Sequence, residues 1–264
     1  MNESLRLVQH RIASIERRRS SAIPQAQPFV TSGHLAIDQA LGGGVMLGRM
    51  HEVLADRDNV GSASGFAALL ARLVGGETLW LAEEAAWRQA GALNPAGLAA
   101  MGIDPARLIV GVLPDTASVL RAAVDGLRCP ALGAVVIELA GNPRALDLTA
   151  SRRLALAAEA HGVTAILLRL GGEEAANAAQ TRWRVAAAPS APMAADAPGH
   201  PAWDLELLRQ RGRPDGGRWR VEWNREQGRL CEWHETGGAA LPGAVVPVPV
   251  DRPIEARPPL RRAG

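Results

Sequence analysis

Residues 52–73, EVLADRDNVGSASGFAALLARL, are the part of the sequence whose residue types and spacing could do phosphate chemistry. A strand-like run ends, Gly and Ser cluster, and an Ala/Leu-rich helix follows. A phosphate-cradling loop wraps its anion in consecutive backbone N–H groups, neutralises the terminal phosphate with a lysine and holds Mg²⁺ on a Ser or Thr hydroxyl. Gly61 and Gly65, with Ser62 and Ser64 between them, suit a backbone that must turn and approach an anion. Phe66 and Ala67 stand where the lysine and the hydroxyl are required. The chain has no lysine at all, so only an arginine such as Arg57 or Arg72 is on hand to substitute. Losing both the charge and the metal ligand removes the main stabilisation of the transition state. The expectation is a degenerate phosphate loop without turnover, with weak binding of ATP and Mg²⁺ left open.

A second constellation lies in the C-terminal half, where arginine alternates with tryptophan. Arg182, Arg184, Arg209, Arg211, Arg213, Arg218 and Arg220 occur among Trp183, Trp203, Trp219 and Trp223. Guanidinium groups hold phosphates and indole rings stack on bases, so the pattern suits single-stranded DNA. It equally suits a protein interface, or the solvated faces of strands whose other sides are core. Other chemistries find little support. His34, His51 and His161 have no metal-ligand spacing, no Gly-x-Ser-x-Gly elbow is present, and Gly42–Gly44 reads as a turn. Cys129 and Cys231 match no metal or redox spacing and are expected to be free thiols.

The elements that must position these residues alternate. Strand-like runs at 50–55, 78–84, 107–113, 133–139 and 163–170 are separated by helical segments at 64–73, 85–102, 116–128 and 149–161, the last capped by Asp147 or Thr149. Short apolar strands between helices predict a parallel sheet covered on both faces. The period then changes to two at 181–187, 203–212 and 218–224, predicting antiparallel strands appended at the sheet edge. Residues 1–22 read as an N-terminal arm with a short helix, carrying Leu5, Leu7, Val8, Ile12 and Ile15; 30–235 read as the core, and 236–264 as a Pro-rich, disordered tail. The net charge of +2 over 264 residues gives no general drive towards nucleic acid. Without an apolar signal or membrane run, a soluble cytoplasmic protein is expected.

The segment VTSGHLAIDQALGGGVMLGRMHEV resembles the opening of a RecA-type recombinase core. The likeness continues through WLAEEAA, LNPAGLAAMGIDPARLIV, LPDTASVL and AVVIEL, and covers roughly residues 30–225. The ordered string RCPALGAVVIEL, LDLTASRRLALAAEAHGVTAILLR, TRWRV and WDLELLRQRG is similar to the ImuA family of damage-inducible, RecA-like mutagenesis proteins. The resemblance implies a RecA-like α/β fold. It also implies partnership with ImuB, a Y-family-like polymerase homologue, and with an alternative C-family polymerase in SOS-induced translesion synthesis; RecA itself is a further possible partner. It would make Glu84 the residue that activates the attacking water and Glu138 the metal-coordinating acid, both at carboxyl ends of parallel strands. It also likens Arg209 and Arg211 to a basic pair that reaches a neighbouring subunit's nucleotide. The loops expected at 140–148 and 171–180 are short for a DNA groove, and the second carries two glutamates. Three readings follow: an adaptor without ATPase activity, a divergent DNA-stimulated ATPase using Glu84 and Glu138, and a cell-division inhibitor of the SulA type, whose members are shorter.

Overall fold

A computed structural model describes residues 29–190 and 199–233; the expected arm and tail lie outside the described residues. The chain enters through β1 (Phe29–Val30), which pairs antiparallel with β2 (Val45–Met46). Between them α1 (Leu35–Leu41) is set by local hydrogen bonds. His34 Nδ1 accepts from the Ile37 N–H, and the Asp38 carboxylate accepts from Ser32 and Gly33 N–H. At Gly44, with φ +125°, a Cβ would sit 2.2 Å from the Val30 carbonyl oxygen, so the triple glycine is a turn that no side chain fits.

The main sheet follows in chain order as β3 (Met50–Ala55), β4 (Glu77–Glu83), β5 (Leu108–Leu113), β6 (Leu132–Ala140), β7 (Thr164–Leu170), β8 (Thr181–Ala187), β9 (Ala202–Gln210), β10 (Arg218–Asn224) and β11 (Arg229–Glu232). Its spatial order is β11-β10-β9-β8-β3-β7-β6-β4-β5. The helices are α2 (Val60–Val74), α3 (Glu84–Ala90), α4 (Pro95–Ala100), α5 (Thr116–Leu127) and α6 (Leu148–His161). Asp115 and Asp147 cap α5 and α6, each accepting a backbone N–H at 2.7 Å. The segment expected as one helix over 85–102 is two, because Gly91 ends α3 and Asn94–Pro95 restarts the chain as α4.

The architecture is the expected α/β one, mostly parallel and flanked by helices. One core layer packs α2 with Trp80, Ile166 and Trp183; the opposite layer packs α5 and α6 with Leu79, Ile137 and Leu167. The expected antiparallel pairing is found at β8–β9, β9–β10 and β10–β11, with one addition: β8 also pairs parallel with β3 and so joins the two parts of the sheet. Alternation reports one polar and one buried face, which a parallel strand can also have. The helix-free connection 171–180 brings β8 back beside β3, where Gln180 N–H donates to the Met50 carbonyl at 2.6 Å.

Candidate functional site

The expected phosphate loop is not a loop. After a single 3-10 turn at Arg57–Asn59, α2 begins at Val60, so Gly61, Ser62, Ser64 and Gly65 all lie within its first two turns. In helical backbone the N–H groups of Ser64 and Gly65 bond to carbonyls four residues back, so the four residues do not form a loop that wraps a phosphate. Packing explains why a Gly/Ser-rich segment is helical. Trp203 Nε1–H donates to the Ser62 carbonyl at 2.9 Å, and a Cβ on Gly65 would lie 3.6 Å from the Trp203 ring and 3.9 Å from Met101. Small residues let the helix lie close to this indole, and tertiary burial overrides weak intrinsic propensity. Phe66, in the place of the lysine, is 2% exposed. Its ring meets Trp183 and Trp203 edge-on, each at 6.1 Å between centroids and 61° between planes. Ala67 beside it is fully buried.

The two acids expected to work together have different surroundings and no shared partner. Glu84 does not end a strand; it is the first residue of α3, exposed and paired with Arg88 one turn on at 3.2 Å. The strand-end acid is Glu83, which accepts the Thr116 hydroxyl at 2.9 Å on the α5 side. Glu138, within β6, faces the α2 side, in register with Ala82. It is 1% exposed and accepts the Trp80 indole N–H on Oε2 at 2.6 Å, while Oε1 has no hydrogen-bond partner. Burial raises its pKa, and the Trp80 bond opposes that only in part. A desolvated carboxyl favours its neutral form, the form that gives a cation least. Among the described residues no group of acids, histidines or cysteines has the arrangement of a metal site.

The basic constellation is also redistributed. Arg182 is buried, correcting its expected contact role: its Nε donates to one oxygen of Glu52, and its Nη2 to the Ala175 carbonyl. Arg169 donates to the other Glu52 oxygen at 2.9 Å, and also to the carbonyls of Gly141 and Glu173. This Arg169–Glu52–Arg182 network ties β3, β7 and β8 to the loops at 141–147 and 171–180. The sequence signal for it was a lone acid in a strand whose other residues, His51 apart, are apolar. On the outer face of the antiparallel strands, Arg184 and Arg218 flank Glu206, and Arg220 pairs with Asp204 at 2.7 Å. The hydrogen bond from Arg218 is the main reason the Glu206 carboxyl titrates below its usual range. Arg209 donates to the Asn177 carbonyl, and Arg211 and Arg213 are exposed. Trp183, Trp203 and Trp223 point into the core, so they offer no stacking platform. Trp219 is half-buried, and Trp233 lies 5.1 Å from the Arg220 guanidinium.

Known proteins extend the comparison. Protein ImuA from Caulobacter vibrioides, strain NA1000 / CB15N, is 36% identical over 211 residues, covering 72% of this chain and 82% of that relative. The chain belongs to the ImuA family. The same values hold for Protein ImuA of strain ATCC 19089 / CIP 103742 / CB 15. No family model matches the chain. In structure it is similar to a solved RadB recombinase, with a TM-score of 0.54, 15% identity, and coverage of 78% of this chain and all of the other. At that identity the likeness shows a RecA-like fold and nothing more.

Proposed function

We propose that this ImuA-family protein is a RecA-like adaptor in SOS-induced, error-prone translesion synthesis, working by assembly and without ATP turnover. Its partners in this reading are an ImuB-like protein and an alternative C-family polymerase, with RecA and single-stranded DNA as further contacts. The single observation that supports it is Phe66. Where a motor places its phosphate-binding lysine at the mouth of a loop, this chain buries a phenyl ring between two tryptophans and winds the loop into helix. The geometry that remains is a sheet covered by helices, with a solvated outer face on its antiparallel strands, suited to presenting surfaces.

The divergent ATPase is the competing reading, favoured by Glu138 and its unpartnered oxygen near the carboxyl end of β6. One pair of measurements separates them. The purified chain is assayed for ATP binding and hydrolysis with Mg²⁺, with and without single-stranded DNA, and for association with an ImuB-like protein by calorimetry. Association without hydrolysis supports the adaptor. Hydrolysis lost on Glu138→Gln or Glu84→Gln makes the protein an enzyme, and absence of both activities overturns the proposal.

A further inference from the structure

Five arginines of the sheet are held by carboxylates: Arg169 and Arg182 by Glu52, Arg184 and Arg218 by Glu206, and Arg220 by Asp204. The outer face of α6, and the turn before it, is built differently. Arg144, Arg152 and Arg153 are exposed and make no ion pair or hydrogen bond with any described residue. The helix's one acid, Glu159, is taken by Arg49 from the start of β3. Asp147, in the turn, is the helix cap and accepts the Ala150 N–H, so the three arginines leave the face with a net positive charge.

It is also apolar where solvent reaches it. Leu148 is 47% and Leu156 65% exposed, two of the few large hydrophobic side chains left in water among the described residues. The inward side of α6 is occupied by Ser151, Leu154 and Ala158. At 3.6 residues per turn, Leu148 and Leu156 lie about 80° apart around the axis and about 12 Å apart along it, with Arg152 midway. A single exposed leucine is ordinary on a protein surface. Two on one arc, two turns apart, with unneutralised guanidinium groups beside and between them, form an anchor-and-charge pattern of the kind a partner helix reads.

Charge decides the occupant. Residues 1–28 carry Arg6, Arg11, Arg17, Arg18 and Arg19 against Glu3 and Glu16, and residues 234–264 carry Arg252, Arg257, Arg261 and Arg262 against Glu235, Asp251 and Glu255. The first has three more arginines than acids and the second one more, so neither is the acidic segment that this face would pair with. A second copy would set the same arginines against themselves. A nucleic acid strand would satisfy the guanidinium groups but leave both leucines facing phosphate.

We propose that the outer face of α6 docks an acidic amphipathic helix of another protein. Its apolar residues cover Leu148 and Leu156, and its carboxylates pair with Arg144, Arg152 and Arg153. This does not depend on the adaptor reading and would hold for an ATPase as well.

The test uses the full chain and a labelled acidic peptide of about four helical turns, with two leucines two turns apart. Fluorescence anisotropy should show saturable binding that weakens about tenfold in Arg152→Glu/Arg153→Glu, because steering and pairing reverse sign. It should weaken several-fold in Leu156→Ser, from lost apolar burial. All three residues are exposed, so far-UV circular dichroism and the urea midpoint should stay unchanged. Absence of saturation at about 1 mM peptide overturns the proposal, because a complex weaker than ~4 kcal/mol is no docking site. So does binding that both variants leave untouched. A single-stranded oligonucleotide that binds more tightly than the peptide, sensitive to Arg152→Glu/Arg153→Glu and indifferent to Leu156→Ser, would assign the face to nucleic acid instead.

Discussion

Replacing Phe66 with lysine restores the residue that a phosphate loop requires, and the structure predicts damage without gain of function. The side chain is 2% exposed and makes two edge-on aromatic contacts. Each such contact contributes about 0.5–1.5 kcal/mol beyond its buried area, so losing both costs about 1–3 kcal/mol. Truncating a buried phenylalanine as far as alanine costs about 3–5 kcal/mol in all, cavity included. Lysine adds an ammonium group with no acid among the aromatic neighbours, and burying an unpaired charge costs further kcal/mol or forces its neutralisation. Phe66→Lys should therefore lose at least ~4 kcal/mol, a large part of the ~5–15 kcal/mol that holds a typical domain folded. Phe66→Leu keeps an apolar fill and should lose about 2 kcal/mol. Urea denaturation at pH 7, followed by tryptophan fluorescence, reads both values, and titration with a fluorescent ATP analogue and Mg²⁺ reads nucleotide binding. A Phe66→Lys protein as stable as the parent, or one that acquires tight Mg²⁺-dependent ATP binding, would refute the reasoning and restore the loop.

Three more outcomes follow from the buried polar groups. Burial pushes the His51 pKa down to about 4 from 6.5, so below pH 6.5 the unfolded chain takes up a proton that the folded chain refuses. Stability should then fall by about 3 kcal/mol as pH drops from 6.5 to 4, and His51→Asn should lose that slope; an unaltered slope contradicts it. Glu138 has the opposite sign: its pKa is raised by burial, so its contribution is intact at acidic pH and is lost as pH climbs above 4.5. Glu138→Gln should flatten the fall in stability above pH 4.5, whereas a pH profile parallel to the parent's would show that the carboxyl is not desolvated. Glu52→Gln leaves two buried guanidinium groups sharing no anion and should cost about 3–5 kcal/mol in a denaturant titration, with a cost under ~1 kcal/mol counting against the network.

Much of the fold was legible because its signals are local. The run Met50–Ala55 reads as a buried strand from its own residues, and α6 announces itself with Asp147 three residues before the N–H it caps. The site was less so. Glu84 and Glu83 are neighbours in a strand-to-helix junction, and a shift of one residue decides which acid meets Thr116 and which meets solvent. In Arg182–Trp183–Arg184, alternation correctly separates the indole from the guanidinium groups. It cannot say that helix-side loops cover Arg182 while Arg184 stays half-exposed.

Sequence alone determined the alternation of strands and helices, the missing lysine, the family likeness and the period-two strands, since each depends on residue type and spacing along the chain. Tertiary structure decided the rest. Gly61–Gly65 became helix because Trp203, more than a hundred residues away, packs against it. Glu52 became the centre of a buried ion network because β7 and β8 both lie beside β3. The strand arginines Arg184, Arg218 and Arg220 lost their free charge because cross-strand carboxylates meet them, while Arg152 and Arg153 on α6 have no acid across from them. Burial, charge pairing and the fate of a backbone N–H depend on what lies across space, and spacing along the chain carries only part of that information.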